Sequence, residues 1–545
     1  MISYGPCQTP ALSFCVDRLR EIESFVPERY WKIDLQAKLP DGNSYSLKWR
    51  VPTDDAVIDT RSKRGDGNEE GATFSHQSAR ELIERAKCAD MIVKQVTQTS
   101  QSILPPNGLN TVALLEAGSK AMGMSPKTVM SVAEKLYSAG FISYPRTETT
   151  RYDPNGFDAR SLLREHCSSA EWGKSASYLL RTRKTSKPPN RGKDCGDHPP
   201  ITPLKAANRG NVGGGAAWRV YEYVVRNFLG SLHNDLQITR TKALLALSDS
   251  DEAEFEIELV TVDSLGFADA CRWVLRDVGA VQGKVDKDLL QEGQRLKLVK
   301  AGIEEKKTMP PRFLQEHELI RLMDTNRIGT DASMAVHVSN IVDRGYVMLV
   351  DETGVALRPP RPPSQRKNNL PRQIGRYMVP TPLGSNLLKL FGHEEDATEI
   401  ESPALLSHPS IRRQMEQEVK EIAMENIEKD FCLEKNLDWF EKRYTELERS
   451  LTYERVGKFG QGLRSSNDYL RYLAKLGAFE PKINTPNKGK QTKQTQQKKH
   501  TGTKKRQTYN HKGKKGNMKG RTKNTEQHKQ RNSDNKGTSK FINNA

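Results

Sequence analysis

The chain has 545 residues, 35% of them hydrophobic and 28% charged, with a formal net charge of +18. That length accommodates two to four domains, and so low an apolar content points to a part that builds no core. No apolar run approaches the roughly 20 residues that a membrane-spanning helix needs, and the scattered cysteines, seven in number and without a Cys-x-x-Cys, suggest neither a zinc ribbon nor a disulfide framework.

The first seven residues lack the basic and apolar regions of a signal peptide, and free thiols suit a reducing intracellular compartment. Ala11, Leu12, Cys15, Val16 and Leu19 recur at helical spacing, with Thr9 and Pro10 as a start signal. From Tyr30 to about Leu104, short alternating stretches such as 31–37 predict strands around a polar loop at 61–75. A helix is expected at 78–88 with Ser78 as its cap. Pro105 and Pro106 mark a boundary. Residues 109–232 read as helix-rich. Within them Ser125 is an N-cap and Pro126 a first helical residue. Val129, Val132, Ala133, Leu136 and Tyr137 form one apolar stripe that Gly140 stops. The chain then enters Phe141-Ile-Ser-Tyr-Pro145, where the following proline holds Tyr144 on extended backbone.

A tyrosine two residues from a guanidinium is a credible nucleophile for phosphorus. Phenol has a pKa of about 10 and attacks poorly unless its oxyanion is stabilised. A guanidinium is always charged and can fork onto two phosphate oxygens. The plainer reading of Tyr144 and Arg146 is an amphipathic ring anchoring a loop. Downstream of a basic, Pro-rich loop at 182–193, His198 is either an ordinary loop histidine or an imidazole for phosphate contact and proton relay. Gly210-Asn-Val-Gly-Gly-Gly215 completes no phosphate-binding motif and reads as a flexible loop. Asp249 and Asp251 read as a solvated hairpin turn rather than a magnesium site.

Residues 233–299 return to strand-like alternation. A helix at 316–323, a turn at 327–331, a helix at 332–344 stopped by Gly345, and a strand at 346–350 follow. Thr330 or Asp331 is expected to cap the second helix, whose free N–H groups suit a phosphate. A Pro- and Arg-rich loop is expected at 359–371, and charged helices at 409–451 and 468–476. Residues 481–545 hold 19 Lys and Arg against Glu526 and Asp534, a net +17 that leaves the other 480 residues at +1. Such a segment is expected to be disordered and to bind phosphates by counterion release.

Leu136-Tyr-Ser-Ala-Gly-Phe-Ile-Ser-Tyr-Pro-Arg-Thr-Glu-Thr149 closely resembles the active-site segment of type IA DNA topoisomerases, and its Thr-Thr-x-Tyr continuation looks most like the eukaryotic topoisomerase III beta branch. The resemblance implies Tyr144 as the nucleophile that becomes joined to a 5′ phosphate, Arg146 as its phosphate clamp, and Thr147 and Glu148 beside the strand. Three further stretches resemble family motifs in family order. Ser3-Tyr-Gly-Pro-Cys-Gln-Thr-Pro10 puts Gln8 and Thr9 near the DNA strand. Asp197-His-Pro-Pro-Ile-Thr-Pro203 puts His198 beside the scissile phosphate, with Thr202 adding a hydroxyl. Ile328-Gly-Thr-Asp-Ala332 puts Thr330 and Asp331 against the strand, with Arg327 standing where the family has a glycine, a cation there favouring DNA.

The implied fold is multidomain α+β, a type IA toroid. A β-rich arch (28–104 and 233–304) carries a helical domain with the active-site tyrosine (105–232). A helical strand-binding domain (1–27 and 305–480) and a disordered Lys-rich tail (481–545) complete it. The implied activity is ATP-independent breakage and rejoining of single-stranded DNA, relaxing negative supercoils and unlinking recombination and repair intermediates, with RNA an open second substrate. Mg²⁺ is the implied cofactor, yet the family's Toprim domain, with its catalytic glutamate and Asp-x-Asp-x-Glu ligands, belongs ahead of residue 1, and none of its ligands is found in these residues. Family-type partners are an OB-fold or Tudor-domain protein and a helicase, with no membrane. The Lys-rich clusters suit nuclear import, so the nucleus is the expected location and the cytoplasm the alternative. A rival of another class is a non-catalytic single-stranded nucleic-acid-binding protein, which follows if the Toprim domain is truly missing.

Overall fold

The computed structural model describes residues 4–50, 72–182, 190–250, 254–280, 289–357, 376–391, 406–450 and 466–479. The loop expected at 359–371 and the tail from 481 lie outside them, as does most of the loop at 61–75.

The described chain opens with α1 (Gln8–Glu23), whose N-cap is Cys7. Three strands follow: β1 (Arg29–Lys38), β2 (Ser44–Trp49) and β3 (Ala72–Thr73). Next come α2 (His76–Cys88) and β4 (Met91–Ile103). Later in the chain lie β5 (Leu236–Leu247), β6 (Phe255–Ser264) and β7 (Arg295–Lys307). The ladders run β1–β2–β6–β5–β4–β7 and back to β1, so six strands close on themselves and the short β3 pairs onto β1. Closure removes exposed strand edges. The period-2 pattern of β1 turns Ile33, Leu35 and Ala37 to the core and leaves Asp34 and Gln36 less covered. Ala79, Leu82, Ile83 and Ala86 on one face of α2 share that core with Leu35, Met91, Leu245 and Phe255. The cap of α2 is Ser75, not Ser78: the Ser75 hydroxyl accepts the Ser78 N–H, so the helix starts one turn earlier than its apolar stripe indicates.

Two antiparallel ribbons lead out of this barrel. β4 and β5 stay paired from Met91 and Leu247 to Ile103 and Leu236. β1 and β7 stay paired from Lys38 and Lys297 to Arg29 and Lys307. At about 3.4 Å per residue, the 13 residues of β4 reach roughly 40 Å. Between β4 and β5 the chain forms α3 (Thr111–Lys120), α4 (Pro126–Ser138), α5 (Ala159–His166), α6 (Gly173–Thr182), α7 (Arg209–Val212) and α8 (Gly215–Leu232). α9 (Trp273–Asp277) follows β6. Beyond β7 lie α10 (Glu316–Thr325), α11 (Met334–Asp343), β8 (Val347–Val350), β9 (Tyr377–Pro380), α12 (Pro382–Leu390), α13 (Pro409–Ala423), α14 (Lys429–Ser450) and α15 (Ser466–Lys475). α10 packs on α3 and α11 on α4. Ion pairs join the same elements, Arg321 to Glu116 at 2.8 Å and Lys127 to Asp343 at 3.4 Å.

Other elements depart from the sequence reading for local reasons. The glycine-rich stretch at 210–215 is partly helical, because Asn208 and Asn211 close a reciprocal capping box around α7. The 409–451 helix is two helices, α13 and α14, with Glu425 between them at φ 60°. α11 begins at Met334 after Ser333, because the Thr330 N–H is given to the Ser333 hydroxyl and neither Thr330 nor Asp331 caps the helix.

Candidate active site

α4 delivers the central segment. Ser125 Oγ accepts the Thr128 N–H and Pro126 occupies the first turn, as such helix starts require. At its other end Gly140 takes φ 69°. The Phe141 N–H reaches the Leu136 carbonyl at 2.9 Å, and the Gly140 N–H reaches the Tyr137 carbonyl at 2.8 Å. This left-handed stop turns the chain sharply off the helix. Tyr137, counted in the apolar stripe, is instead 44% exposed. It meets Tyr144 edge-on, with 5.2 Å between ring centroids.

The Tyr144 segment is bracketed on both sides by the loop that carries His198. Before Tyr144, the Ser143 N–H reaches the Thr202 carbonyl at 2.9 Å. The Ser143 hydroxyl donates to the Pro200 carbonyl at 3.2 Å and accepts the Thr202 N–H at 2.8 Å. After Tyr144, the Asp197 carboxylate accepts the Glu148 N–H at 2.7 Å, the Thr147 hydroxyl at 3.1 Å and the Thr149 hydroxyl. The Thr147 hydroxyl also lies against the His198 carbonyl. Between the brackets the rings of Tyr144 and His198 meet at 4.5 Å and 62°. Burial pushes the Asp197 carboxyl up, but the three donors outweigh it and hold it below the usual range. Arg146 pairs with Glu134 of α4. That hydrogen bond, then the Glu134 charge and the smaller influences of Tyr144 and Asp331, raise its already high pKa against some burial.

Asp331, in the turn between α10 and α11, adds the smallest of these pulls on Arg146, and α11 packs on α4, which carries its partner Glu134. That turn begins with Arg327 at φ 54°, the left-handed conformation that the family glycine would adopt. The Ile328 N–H reaches the Met323 carbonyl at 2.8 Å and the Arg327 N–H reaches Asp324 at 3.0 Å, so the helix stop forms with arginine in place. The exposed Arg327 guanidinium donates to Gln417 at 3.0 Å. Thr330 is exposed and Asp331 half-buried, its carboxylate accepting the Ala332 N–H at 2.7 Å. Gln8 and Thr9 are buried in the first turn of α1. Their neighbour Cys7 has its thiol pushed up by burial, against the Arg412 charge and a hydrogen bond from the Gly329 backbone, which puts the start of α1 at the same turn.

Tyr144, Arg146 and His198 therefore share one spot, with Glu148 exposed beside them. Thr147 is fully buried and Thr202 nearly so; the Thr147 hydroxyl and the Thr202 backbone tie the two segments together. Asp197, Glu134, Tyr137 and Ser143 complete the spot. Of these Asp197, Ser143 and Tyr137 carried a usable signal, since each lies within a quoted motif, whereas Glu134 lies outside them.

A family model described as DNA topoisomerase matches residues 1–357. The chain belongs to the DNA topoisomerase family. It is 35% identical over 445 residues to rice DNA topoisomerase 3-beta, covering 82% of this chain and 44% of that one. It is 33% identical over 492 residues to the Arabidopsis thaliana DNA topoisomerase 3-beta, covering 89% and 50%. It is 35% identical over 360 residues to human DNA topoisomerase 3-beta-1, covering 66% and 38%. The chain thus spans half or less of the length of these relatives. Among solved structures, full-length topoisomerase I from Thermotoga maritima superimposes with a TM-score of 0.57 at 18% identity, covering 81% of this chain and 63% of that one. That likeness concerns the fold, which is mixed helix and sheet of the type IA topoisomerase kind.

Type IA topoisomerases use Mg²⁺, but the donor set of this site does not fit it. Asp197 is saturated by hydroxyl and amide donors, Glu134 is paired with Arg146, and Glu148 is exposed to solvent. Among the described residues no group of three or more His, Cys, Asp and Glu could hold a metal ion. None of the described helices is long and apolar enough to cross a membrane.

Proposed function

We propose that this chain breaks and rejoins single-stranded DNA by transesterification, with Tyr144 as nucleophile. Tyr144 Oη attacks a backbone phosphorus, the bond to the 3′ oxygen breaks, and the 5′ phosphate is left esterified to tyrosine. Rejoining runs the same exchange in reverse. One phosphodiester replaces another, so the bond energy is kept and no ATP is consumed. The phenol loses its proton as the new bond forms, and the adjacent His198 imidazole takes it. Arg146 forks onto the non-bridging oxygens, where charge grows in the transition state. The leaving oxygen takes a proton from water or from a group outside the described residues. The biological outcome of this exchange is relaxation of negative supercoils and unlinking of recombination and repair intermediates.

What supports this reading is above all the contact of the Tyr144 and His198 rings, 4.5 Å apart and two residues from Arg146. The test is trapping of a denaturation-resistant adduct between the full-length protein and an end-labelled single-stranded oligonucleotide with Mg²⁺. The wild type forms the adduct, and Y144F forms none yet still shifts the oligonucleotide. An adduct that survives Y144F overturns the assignment. Parallel DNA and RNA oligonucleotides decide between the two strands.

A further inference from the structure

The His198 imidazole makes its ring contact with Tyr144, and what holds it there is the backbone on either side. On one side Pro200 and Thr202 are tied to Ser143. On the other, residues 197 and 198 are tied to 147–149. That second tie has a centre. Asp197 spends one carboxylate oxygen on the Glu148 N–H and the other on the Thr147 and Thr149 hydroxyls. The hydroxyls are themselves committed. Thr147 Oγ1 accepts the Thr149 N–H at 3.0 Å, and Thr149 Oγ1 accepts the Cys195 N–H at 3.1 Å. Thr147 is anchored in turn, because its N–H reaches the Thr111 hydroxyl at 2.8 Å and that hydroxyl reaches the Pro145 carbonyl at 2.8 Å. The knot is therefore tied to the start of α3, and its removable member is Asp197.

We infer that Asp197 is a positioning residue for the strand-breaking reaction: its carboxylate clamps the His198 loop to the segment just past Tyr144 and sets the imidazole against the phenol. The inference rests on the function proposed above. Asp197 touches no reacting atom, so its removal acts through His198. A carboxylate is needed because three donors converge on it from one side. An amide must turn its NH₂ toward one of them, and alanine leaves the Glu148 N–H and the Thr149 hydroxyl without an acceptor and the Thr147 hydroxyl with only the His198 carbonyl. Displacement of a catalytic group by about 1 Å costs on the order of 100-fold in rate.

The test compares D197A, D197N, H198A and the double variant D197A/H198A in the full-length protein, by rate of adduct formation and by oligonucleotide affinity. D197A slows adduct formation roughly 10- to 100-fold with affinity within about twofold, and D197N falls between it and wild type. Because Asp197 acts through His198, the double variant is no slower than H198A alone. A double variant slowed by the product of the two single effects, or a D197A protein with wild-type rate, overturns the inference. A loss of folded protein lowers rate and binding capacity together and is read from the active fraction in a binding titration. If D197A does not fold, T147V against T147S tests the same tie, only valine slowing the reaction, and equal rates for the two overturn the inference. Survival of the adduct in Y144F is a separate outcome, which removes the underlying function rather than the role of Asp197.

Discussion

Glu134 on α4 pairs with the Arg146 guanidinium across twelve residues of chain that include Tyr144. The pair sits at the surface, with side-chain exposures of 36% and 43%. Exposed pairs of this kind contribute about 1 kcal/mol or less to stability. Its consequence lies in what the guanidinium is free to hold, since one nitrogen is spent on a carboxylate that a phosphate must compete with.

E134Q therefore leaves folding stability within about 1 kcal/mol and strengthens single-stranded oligonucleotide binding by about two- to fivefold. Fluorescence anisotropy at fixed salt reads the change. Weaker binding in E134Q would mean that Glu134 orients the guanidinium for phosphate rather than withholding it.

Arg327 tests the turn on the far side of the site. A non-glycine residue in the left-handed region costs about 1 kcal/mol, and Arg327 sits there at φ 54°. R327G is expected to raise the unfolding free energy by about that much in urea titrations, less the entropy glycine adds to the unfolded chain. It also removes an exposed cation, so oligonucleotide affinity drops and its dependence on log salt loses about 0.7 for the phosphate no longer neutralised. A rise in stability with an unchanged salt slope would leave the helix stop intact and remove Arg327 from the strand-binding surface.

The site was legible where its residues adjoin. Tyr144, Arg146, the Ser125 cap and the Gly140 stop lie within 22 consecutive residues, each with its own local chemistry. The tie at Asp197 was not, because the Thr149 and Asp197 partners stand 48 residues apart and neither residue type is distinctive. Barrel closure was equally hidden. The β2–β6 ladder that completes it consists of two residue pairs, Lys48 with Glu256 and Trp49 with Phe255, too few to leave a periodic pattern. The onset of α11 was misplaced because Thr330 and Asp331 have the chemistry of caps, whereas the bond that decides the start runs from the Thr330 N–H to Ser333.

His166 gives the helical region around Tyr144 an acid-sensitive point. It is fully buried, its Nδ1 accepts the Trp172 indole N–H at 3.1 Å, and burial lowers its pKa to about 4. The unfolded chain binds a proton at His166 below about pH 6.5, while the folded chain refuses it until about pH 4. Stability is thus unaffected by this group above pH 6.5 and falls as pH drops through that window, by about 3 kcal/mol in all. Urea unfolding of wild type and H166N between pH 7.5 and 4.5 isolates this contribution from the carboxylates. The wild type should lose up to about 1.4 kcal/mol per pH unit more than H166N, whose amide oxygen can still accept the indole N–H. Parallel curves would assign the acid response to other groups.

The residues from 481 on make the last prediction, from charge alone. They carry 19 Lys and Arg against two acids, while the rest of the chain is nearly neutral. Counterion release requires that each phosphate neutralised by this segment steepen the fall of log affinity against log salt by about 0.7 on single strands. Lys504, Lys505 and Arg506, together with the lysines at 512, 514, 515 and 519, are dense enough to engage three or more phosphates at once. Tyr509 and Phe541 are the residues there suited to stacking well on a base, so affinity should be gained with little sequence preference. Deleting 481–545 is expected to weaken binding to every oligonucleotide alike and to flatten the salt slope by about 2 or more. Adduct chemistry at Tyr144 continues once the strand is saturating. Anisotropy titrations on oligothymidine over a salt series measure the slope directly. Equal slopes with and without the segment would show that its lysines hold no nucleic acid, and the strand would then be bound by the folded residues alone.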